Sequence, residues 1–421
     1  MKSLTIWILQ TGEPLQTDGG NHRPMRAMNL SNALVAAGHK VVVWSSAFYH
    51  QEKRHRAILS EPVRISEKLE IRLIPSCGYR RNIGIGRLID HAQLAFNLKK
   101  MLKRTAQLPD AAFIGFPPIE TAAVMARWLL NSEVPFMLDI KDQWPLLFLD
   151  PVPSFLRPLG RAFLTPYFFL AKRAMNDATC LSAMANSFID WSAEFSRRER
   201  TDMDAVFPLT SPSGQVSEPE LEEARKWWDA QGVMHDNRFR VCFVGSHSPA
   251  FNFEPVREAA CIMAQRAIQC DFIICGHGDT SFKLRKMMAG LPNVRFPGWI
   301  DRPKIEVLAG RCHAAIAPYV NTENFTKNIP NKIIDALAMG LPIFCPLKGE
   351  VASLITQYKV GMLYESNGER TLYKCLKILM QNAGMKKSMS QCARSLYDRQ
   401  FSFDTVYGGL VQHLEKLASL K

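Results

Sequence analysis

IPNKIIDALAMGLPIF, residues 329–344, decides how the rest of the chain reads. Pro330 suits the first turn of a helix, where its missing N–H costs nothing. Asn331 follows and offers a side-chain cap to the free amides. Ile333, Ile334, Leu337 and Ala338 recur at helical spacing and predict one buried face. Asn331 and Asp335, four apart, share a side of that helix. Gly340 ends it, Pro342 enforces the stop, and Leu341 to Cys345 reads as a short buried strand. A helix start that opens onto a loop is a ready anion site, because its unbonded amides and its dipole both favour negative charge. The same pattern describes an ordinary crossover of a parallel sheet, so the neighbouring sequence has to decide.

The neighbours alternate strand and helix on both sides. Leu4 to Leu9 is an apolar strand, and the loop Thr11 to Pro24 carries Gly19, Gly20 and Arg23. Met25 to Ala37 reads as a helix closed by Gly38, and KVVVWS from Lys40 is the next strand. Strand, glycine loop, helix, strand is the opening of a doubly wound α/β domain. Leu69 to Pro75, DAAFIGF from Asp110 and PFMLDI from Pro135 continue the strands; Leu88 to Arg104 and Ile119 to Leu130 supply helices. PFMLDI runs into Lys141, Asp142 and Trp144, where a parallel sheet places its ligands. A surface ion pair explains Lys141 and Asp142 equally well at this level. Phe195 to Asn237 is charged and weakly periodic and reads as the domain boundary. FRVCFVG from Phe239 restarts the alternation, followed by DFIIC running into Gly276, His277 and Gly278, and by a short strand reaching Gly298-Trp299.

The composition narrows the class. The chain has 421 residues, 47% hydrophobic and 22% charged, which suits two folded domains and excludes disorder. No stretch approaches the roughly 20 apolar residues of a spanning helix. The N-terminal apolar run meets Thr11, Gly12 and Glu13 and reads as a strand rather than a signal peptide. Ten cysteines fall without CxxC pairs or zinc-ligand spacing, several inside apolar runs, and read as free thiols of a reducing compartment. The formal charge is +13, and residues 51–104 hold 13 Lys and Arg against 5 Asp and Glu. Such a basic region favours anionic membranes, phosphorylated substrates or nucleic acid; no RNP-like or zinc-finger pattern supports the last. Residues 146–178 mix Phe and Leu with Arg157, Arg161, Lys172 and Arg173, a composition fit for a monotopic membrane contact or for helices packed on a sheet.

Taken together, FVGS at 243–246, ICGHGD at 274–279, NVRFPGWI at 293–300, APY at 317–319 and PNKIIDALAMGLPIF from Pro330 resemble the nucleotide-sugar domain of family 4 glycosyltransferases. GGNHRPMRAMNLSNALVAAGHKVVVWSS and LDIKDQWP resemble the branch acting in bacterial surface-polysaccharide synthesis. The resemblance spans nearly the whole chain. It implies an α/β chain of the GT-B fold, two doubly wound Rossmann-like domains facing each other across a cleft. The expected divisions are an acceptor domain at 1–210, a donor domain at 211–400 and a C-terminal helix at 401–421 returning toward the first domain.

The resemblance also implies roles. Asp335 stands where the family binds the nucleotide ribose, and the helix start at Asn328, Asn331 and Lys332 where it cradles the diphosphate. Gly245 and Ser246 let the diphosphate approach, and the base lies between the loop of Gly276, His277 and Gly278 and the Gly298-Trp299 segment. Gly19, Gly20 and Glu323 are assigned to the donor; Arg23, Arg26 and Trp144 to the acceptor; Lys141 and Asp142 to the chemistry. Lys327 stands where the family carries its first glutamate, and the loop at His247 lacks the usual basic pair. The implied reaction moves a sugar from a nucleotide-diphosphate donor to a hydroxyl of a lipid-linked saccharide, with retention, with no metal and no cofactor beyond the co-substrate. The expected place is the cytoplasmic face of an anionic membrane, without nucleic acid. A non-catalytic GT-B scaffold and a nucleotide-sugar epimerase are the competing readings.

Overall fold

Apolar β-branched runs flanked by polar turns pair most readily where both faces are covered by helices, and here they build two parallel sheets. A computed structural model describes residues 3–19, 24–56, 62–80, 84–149, 152–210, 216–365, 368–369 and 371–421. The chain divides into an N-terminal unit, Met1–Pro212 with Phe403–Lys421, and a C-terminal unit, Ser213–Ser402.

The N-terminal unit runs β1 (Thr5–Leu9), α1 (Arg26–Ala36), β2 (Lys40–Ser46), β3 (Phe48–Tyr49), β4 (Arg54–His55), β5 (Val63–Ser66), β6 (Leu69–Ile74) and α2 (Ile85–Lys103). It continues with β7 (Ala111–Phe116), α3 (Ile119–Asn131), β8 (Phe136–Ile140), α4 (Arg157–Phe163), α5 (Thr165–Asp177), β9 (Cys180–Ala183), α6 (Asn186–Ser196) and β10 (Ala205–Val206). The sheet order is β10-β9-β8-β7-β1-β2-β6-β5, parallel except for the edge pair β5–β6. β3 and β4 form a separate antiparallel hairpin, joined by residues 50–53. Strand order reverses between β1 and β7, which both pair with parallel register. That reversal opens a crevice at the strands' carboxyl ends.

One buried ion pair ties this unit together. The Arg26 guanidinium reaches the Asp139 carboxylate on β8 at 2.8 Å and donates to the Phe207 carbonyl at 2.8 Å, while Ser182 on β9 also donates to Asp139. Both charged side chains are essentially inaccessible. Removing one partner of such a pair costs about 3–5 kcal/mol, because the other charge is left buried. Arg26, expected at the acceptor, is therefore held inside the fold.

The C-terminal unit runs α7 (Glu218–Ala230), β11 (Phe239–Val244), α8 (Glu254–Gln265), β12 (Cys270–Cys275), α9 (Ser281–Met287), β13 (Val294–Gly298), α10 (Arg302–Arg311) and β14 (Ala314–Ile316). It ends with α11 (Glu323–Thr326), α12 (Asn331–Ala338), β15 (Ile343–Cys345), α13 (Glu350–Tyr358), β16 (Gly361–Leu363), α14 (Leu372–Gln381) and α15 (Ala383–Leu396). Its order, β13-β12-β11-β14-β15-β16, is all parallel and reverses between β11 and β14. In α12, Ile333, Ile334 and Leu337 are buried against the sheet, as the helical spacing predicts, while Ala336 is buried in place of the half-buried Ala338. Burying each large aliphatic side chain stabilises the helix's seat by about 1.5–3 kcal/mol. Pro330, not Asn331, is the N-cap residue, and no side chain caps this helix.

α16 (Phe403–Ala418) then returns the chain to the N-terminal unit. Tyr407, Leu410, Leu414 and Leu417 join Leu30, Leu34, Val41 and Phe113 in one core. His39 and Glu415 meet at 2.9 Å beside it.

Candidate functional site

In the C-terminal unit the switch point lies between β11 and β14, and the segments leaving β11, β12 and β13 are drawn close by glycine. Gly245 bonds back to the Cys275 carbonyl, Gly276 to the Gly298 carbonyl at 2.7 Å, and His247 to the His277 carbonyl. Gly276 adopts φ +122°, and a Cβ there would stand 1.9 Å from the Gly245 carbonyl oxygen. A Cβ on Gly278 would stand 2.3 Å from the His247 carbonyl oxygen. Only glycine lets these loops pass at this distance.

The α12 start closes on the same place. Lys332 extends back over β11 and donates to the Val244 carbonyl at 2.8 Å. Its ammonium stands where a side chain on Gly245 would be, 1.5 Å from that glycine's would-be Cβ. It also lies 5.1 Å from the Phe243 ring and 5.5 Å from the Phe251 ring. Tyr319 at the end of β14 is buried, which raises its phenol pKa; the nearby charges of Cys345 and Asp335 push the same way. Asp335 thus shares this corner with Lys332, as their places on one helix predict. Asn328 is buried and accepts the Ile329 amide, while Asn331 is exposed in the first turn. Ser246 and His277 are exposed, and Trp299 is 63% exposed beside Gly298. The His247 imidazole is turned inward, 2.9 Å from the Ser281 hydroxyl, and burial pushes its pKa down. Glu323 and Lys327 form an exposed pair at 2.6 Å. The lysine that departs from the family pattern is thereby matched by the acid four residues before it.

The N-terminal unit has its own site at the β1/β7 switch point, a cavity of about 190 Å³. Its walls come from the ends of β1 (Gln10 to Glu13), β2 (Ser46), β7 (Pro117 and Pro118) and β8 (Lys141 and Asp142), with α2 (Arg87, Asp90 and His91) on one side. The sequence missed Glu13. Its buried carboxylate accepts the Ala27 amide at 2.8 Å and pairs with Lys141, so one acid fixes both the α1 start and the cavity's lysine. A lone acid in a loop gives no signal of this; the contact spans more than a hundred residues. Burial pushes the Asp142 carboxyl up, against the pull of Lys141 and Arg87. Trp144 backs the wall, its ring 6.1 Å from His91 and 5.0 Å from the Arg87 guanidinium. His91 and Glu120 approach to 3.6 Å, both buried, too far for a hydrogen bond. Gly19 has φ +67° in the β1–α1 loop and is not among the cavity's lining residues. The expected roles of Gly20 and Arg23 lie outside the described residues.

Residues 238–382 match the family described as glycosyl transferases group 1. A sequence comparison with curated proteins gives no match. Solved structures share the fold at low identity. Sucrose-phosphate synthase of Thermosynechococcus elongatus superposes with a TM-score of 0.67 at 14% identity, covering 99% of this chain and 100% of its own. Anabaena HepE, solved with UDP and glucose, gives 0.64 at 14%, covering 98% and 100%. WaaG, a glycosyltransferase involved in lipopolysaccharide biosynthesis, gives 0.63 at 14%, covering 98% and 99%. The architecture is GT-B, and the chain is a glycosyltransferase with its group 1 segment in the C-terminal unit.

Proposed function

We propose that the chain transfers a sugar from a nucleotide-diphosphate donor to a hydroxyl of a lipid-linked saccharide, with retention of anomeric configuration and without a metal, in surface-polysaccharide synthesis as a family 4 enzyme. The observation that carries this is the Lys332 ammonium held over Gly245 at the uncapped start of α12. As the anomeric C–O bond breaks, negative charge gathers on the leaving diphosphate. A fixed cation and helix amides aimed at that point stabilise it without having to reorganise, and stabilisation of this kind commonly outweighs every other source of rate enhancement. The acceptor oxygen bonds to the anomeric carbon from the same face, and its proton passes to the leaving phosphate oxygen. Asp335 holds the ribose. In the N-terminal unit, Lys141 and Asp142 orient the acceptor, with Glu13 setting the lysine. That HepE was solved with UDP supports a nucleoside diphosphate as the donor's carrier.

A lipid-linked acceptor is supported by α4 and the turn before it. Phe155, Leu159 and Phe163 recur every four residues and are 78%, 71% and 76% exposed. Arg157 and Arg161 stand between them, and Phe169 and Arg173 extend the surface along α5. Apolar wedges ringed by cations suit the headgroup boundary of an anionic cytoplasmic leaflet. No helix among the described residues is long and apolar enough to cross a membrane.

Release of free nucleotide from a panel of nucleotide sugars, with and without Asp335→Ala, tests the transfer reading. Turnover that needs Asp335 and gives an α-product from an α-donor is expected; inversion at the anomeric carbon would overturn retention. Flotation on anionic vesicles tests the lipid face: the native chain should rise, and a chain with Phe155, Leu159 and Phe163 changed to Ser should remain at the bottom.

A further inference from the structure

His91 on α2 and Glu120 on α3 stand together at the cavity of the N-terminal unit, and the transfer chemistry makes no use of either. His91 lines the cavity, and Glu120 follows Pro117 and Pro118, which line it too. Glu120 is 8% exposed and His91 4%. Both Glu120 carboxyl oxygens and His91 Nδ1 are enclosed, and among the described residues none of the three completes a hydrogen bond. Nδ1 lies 3.6 Å from Glu120 Oε2. One edge of the imidazole therefore faces the acid, and the edge carrying Nε2 is left for the cavity. Tyr167 of α5 is the acid's other neighbour, its phenol pushed up to about 12 by burial first and by Glu120 next.

A buried acid costs stability unless it is bonded, and a polar group left so in a native fold calls for an account. The first turn of α3 suits an acid, because the helix dipole favours negative charge there, but this gives no reason to enclose one. The imidazole is held in place by rings. Trp144 lies nearly parallel to it, 6.1 Å between centroids and 27° between planes, and Tyr79 meets it edge-on at 6.3 Å. The adjacent Asp90 is engaged with the Gly78 amide at 2.6 Å. An acid behind one ring nitrogen sets what the other nitrogen offers to a ligand. The gap of 3.6 Å is a short one to close, and hydrogen bonds of this kind commonly tighten only when the ligand is bound. With Glu120 taking the Nδ1 proton, Nε2 serves the ligand. A sugar hydroxyl both donates and accepts, so it bonds Nε2 whether the ring is neutral or charged. An anion is suited less well, because the acid behind the ring repels it.

We propose that His91 Nε2 hydrogen-bonds a hydroxyl of the acceptor saccharide, and that Glu120 is the positioning residue that fixes the ring for it. This rests on the reading that the N-terminal unit takes the acceptor, and it adds one side chain by which that unit tells one saccharide from another.

Initial rates of transfer by the full chain to a set of octyl glycosides and their monodeoxy derivatives test the contact. For the glycoside used most efficiently, His91→Leu should lower acceptor kcat/KM by about tenfold or more, the cost of a hydroxyl left without its partner. His91→Gln, whose amide reaches the place of Nε2, should stay within a few-fold of the native chain. Glu120→Gln should lower the same ratio severalfold, chiefly through acceptor KM. One monodeoxy glycoside should be used about tenfold worse than its parent by the native chain and equally well by His91→Leu, because the missing hydroxyl and the missing imidazole are two halves of one contact. Equal losses for every derivative in both chains overturn the proposal. Should His91→Leu fail to fold, the native preference for that hydroxyl should still shrink severalfold in Glu120→Gln, and an unchanged preference overturns it. Melting needs no substrate. Glu120→Gln keeps the size and removes the buried acid, so its melting temperature should equal or exceed the native one. A fall of several degrees would make Glu120 a structural acid and overturn its positioning role. If Asp142→Asn lowers acceptor kcat/KM and His91→Leu does not, the acceptor reading of this unit stands and the histidine contact falls. If both variants instead raise KM for the nucleotide sugar and leave acceptor kcat/KM unmoved, the acceptor reading itself falls.

Discussion

The two switch points share a strand order and differ in the material of their sites. In the C-terminal unit the edge is made of backbone: Gly245, Gly276 and Gly278 stack loop on loop, a helix start supplies amides, and one lysine is laid over the top. In the N-terminal unit the edge is made of side chains: Glu13 with Lys141, Asp142, His50 and Arg87. Under the proposed function, the backbone site takes the diphosphate, the part common to every nucleotide-sugar donor, and the side-chain site takes the acceptor, the ligand that changes from one enzyme to the next.

This contrast predicts different ways of breaking each edge. The largest effect should come from Gly276→Ala. Its Cβ has no room against the Gly245 carbonyl and its φ is unfavourable to any L side chain, so nucleotide binding measured by calorimetry should fall below detection and the melting temperature should drop. A variant that binds nucleotide normally would mean that the loops do not depend on glycine. Next, Lys332→Gln should lower kcat by about 10²-fold, near 2.7 kcal/mol of transition-state stabilisation, because it removes the fixed cation and leaves the amides. A change in KM alone would show that the lysine binds donor and transition state equally. Smaller again, Glu13→Gln should keep an acceptor for the Ala27 amide but lose the negative charge that faces Lys141, costing about tenfold in acceptor kcat/KM with donor affinity unmoved.

The smallest effect is on stability, and it sharpens the contrast through pH. The Asp142 carboxyl is raised in the folded chain, so the native state holds this proton to higher pH than the unfolded chain does. Stability from this group is full below its unfolded value of 3.8 and is lost as pH rises through the folded pKa. Asp142→Asn should therefore raise the melting temperature at pH 7 and flatten that loss, while lowering activity. His50 runs the other way. Its folded pKa lies near 4 against 6.5, so its contribution is present above 6.5 and lost as pH falls toward about 4. Melting curves across pH on His50→Gln should show a shallower acid limb.

The parts of this molecule legible in the sequence are those with local causes. KVVVWS and DFIIC are strands because β-branched and apolar runs suit a sheet covered on both faces. PNKIIDALAMGLPIF is a helix and strand because proline, glycine and apolar spacing mark both ends. The two-residue strands of the β3–β4 hairpin are too short to show alternation, and α6 went unmarked although Phe188, Ile189, Trp191 and Ala193 give it a buried face. At the sites, the glycine loops could be seen and Lys332 named, since the motif puts them in sequence. Glu13 could not, because its meaning is a contact with Lys141 across the sheet. Arg26 was misplaced for the same reason: an arginine after a glycine loop looks like a ligand group until Asp139 is found beneath it.

The return of α16 to the first core bears on how the chain is made. Leu410, Leu414 and Leu417 cover Ile6, Leu30 and Phe113, residues synthesised roughly three to four hundred positions earlier. Emerging from a ribosome, the C-terminal unit has a contiguous sequence and can close as soon as its last helix is free. The N-terminal unit, though first out, keeps part of one face of its sheet uncovered until α16 has been made. Its apolar surface is thus exposed while the whole C-terminal unit is synthesised, which makes the nascent half a natural client of chaperones.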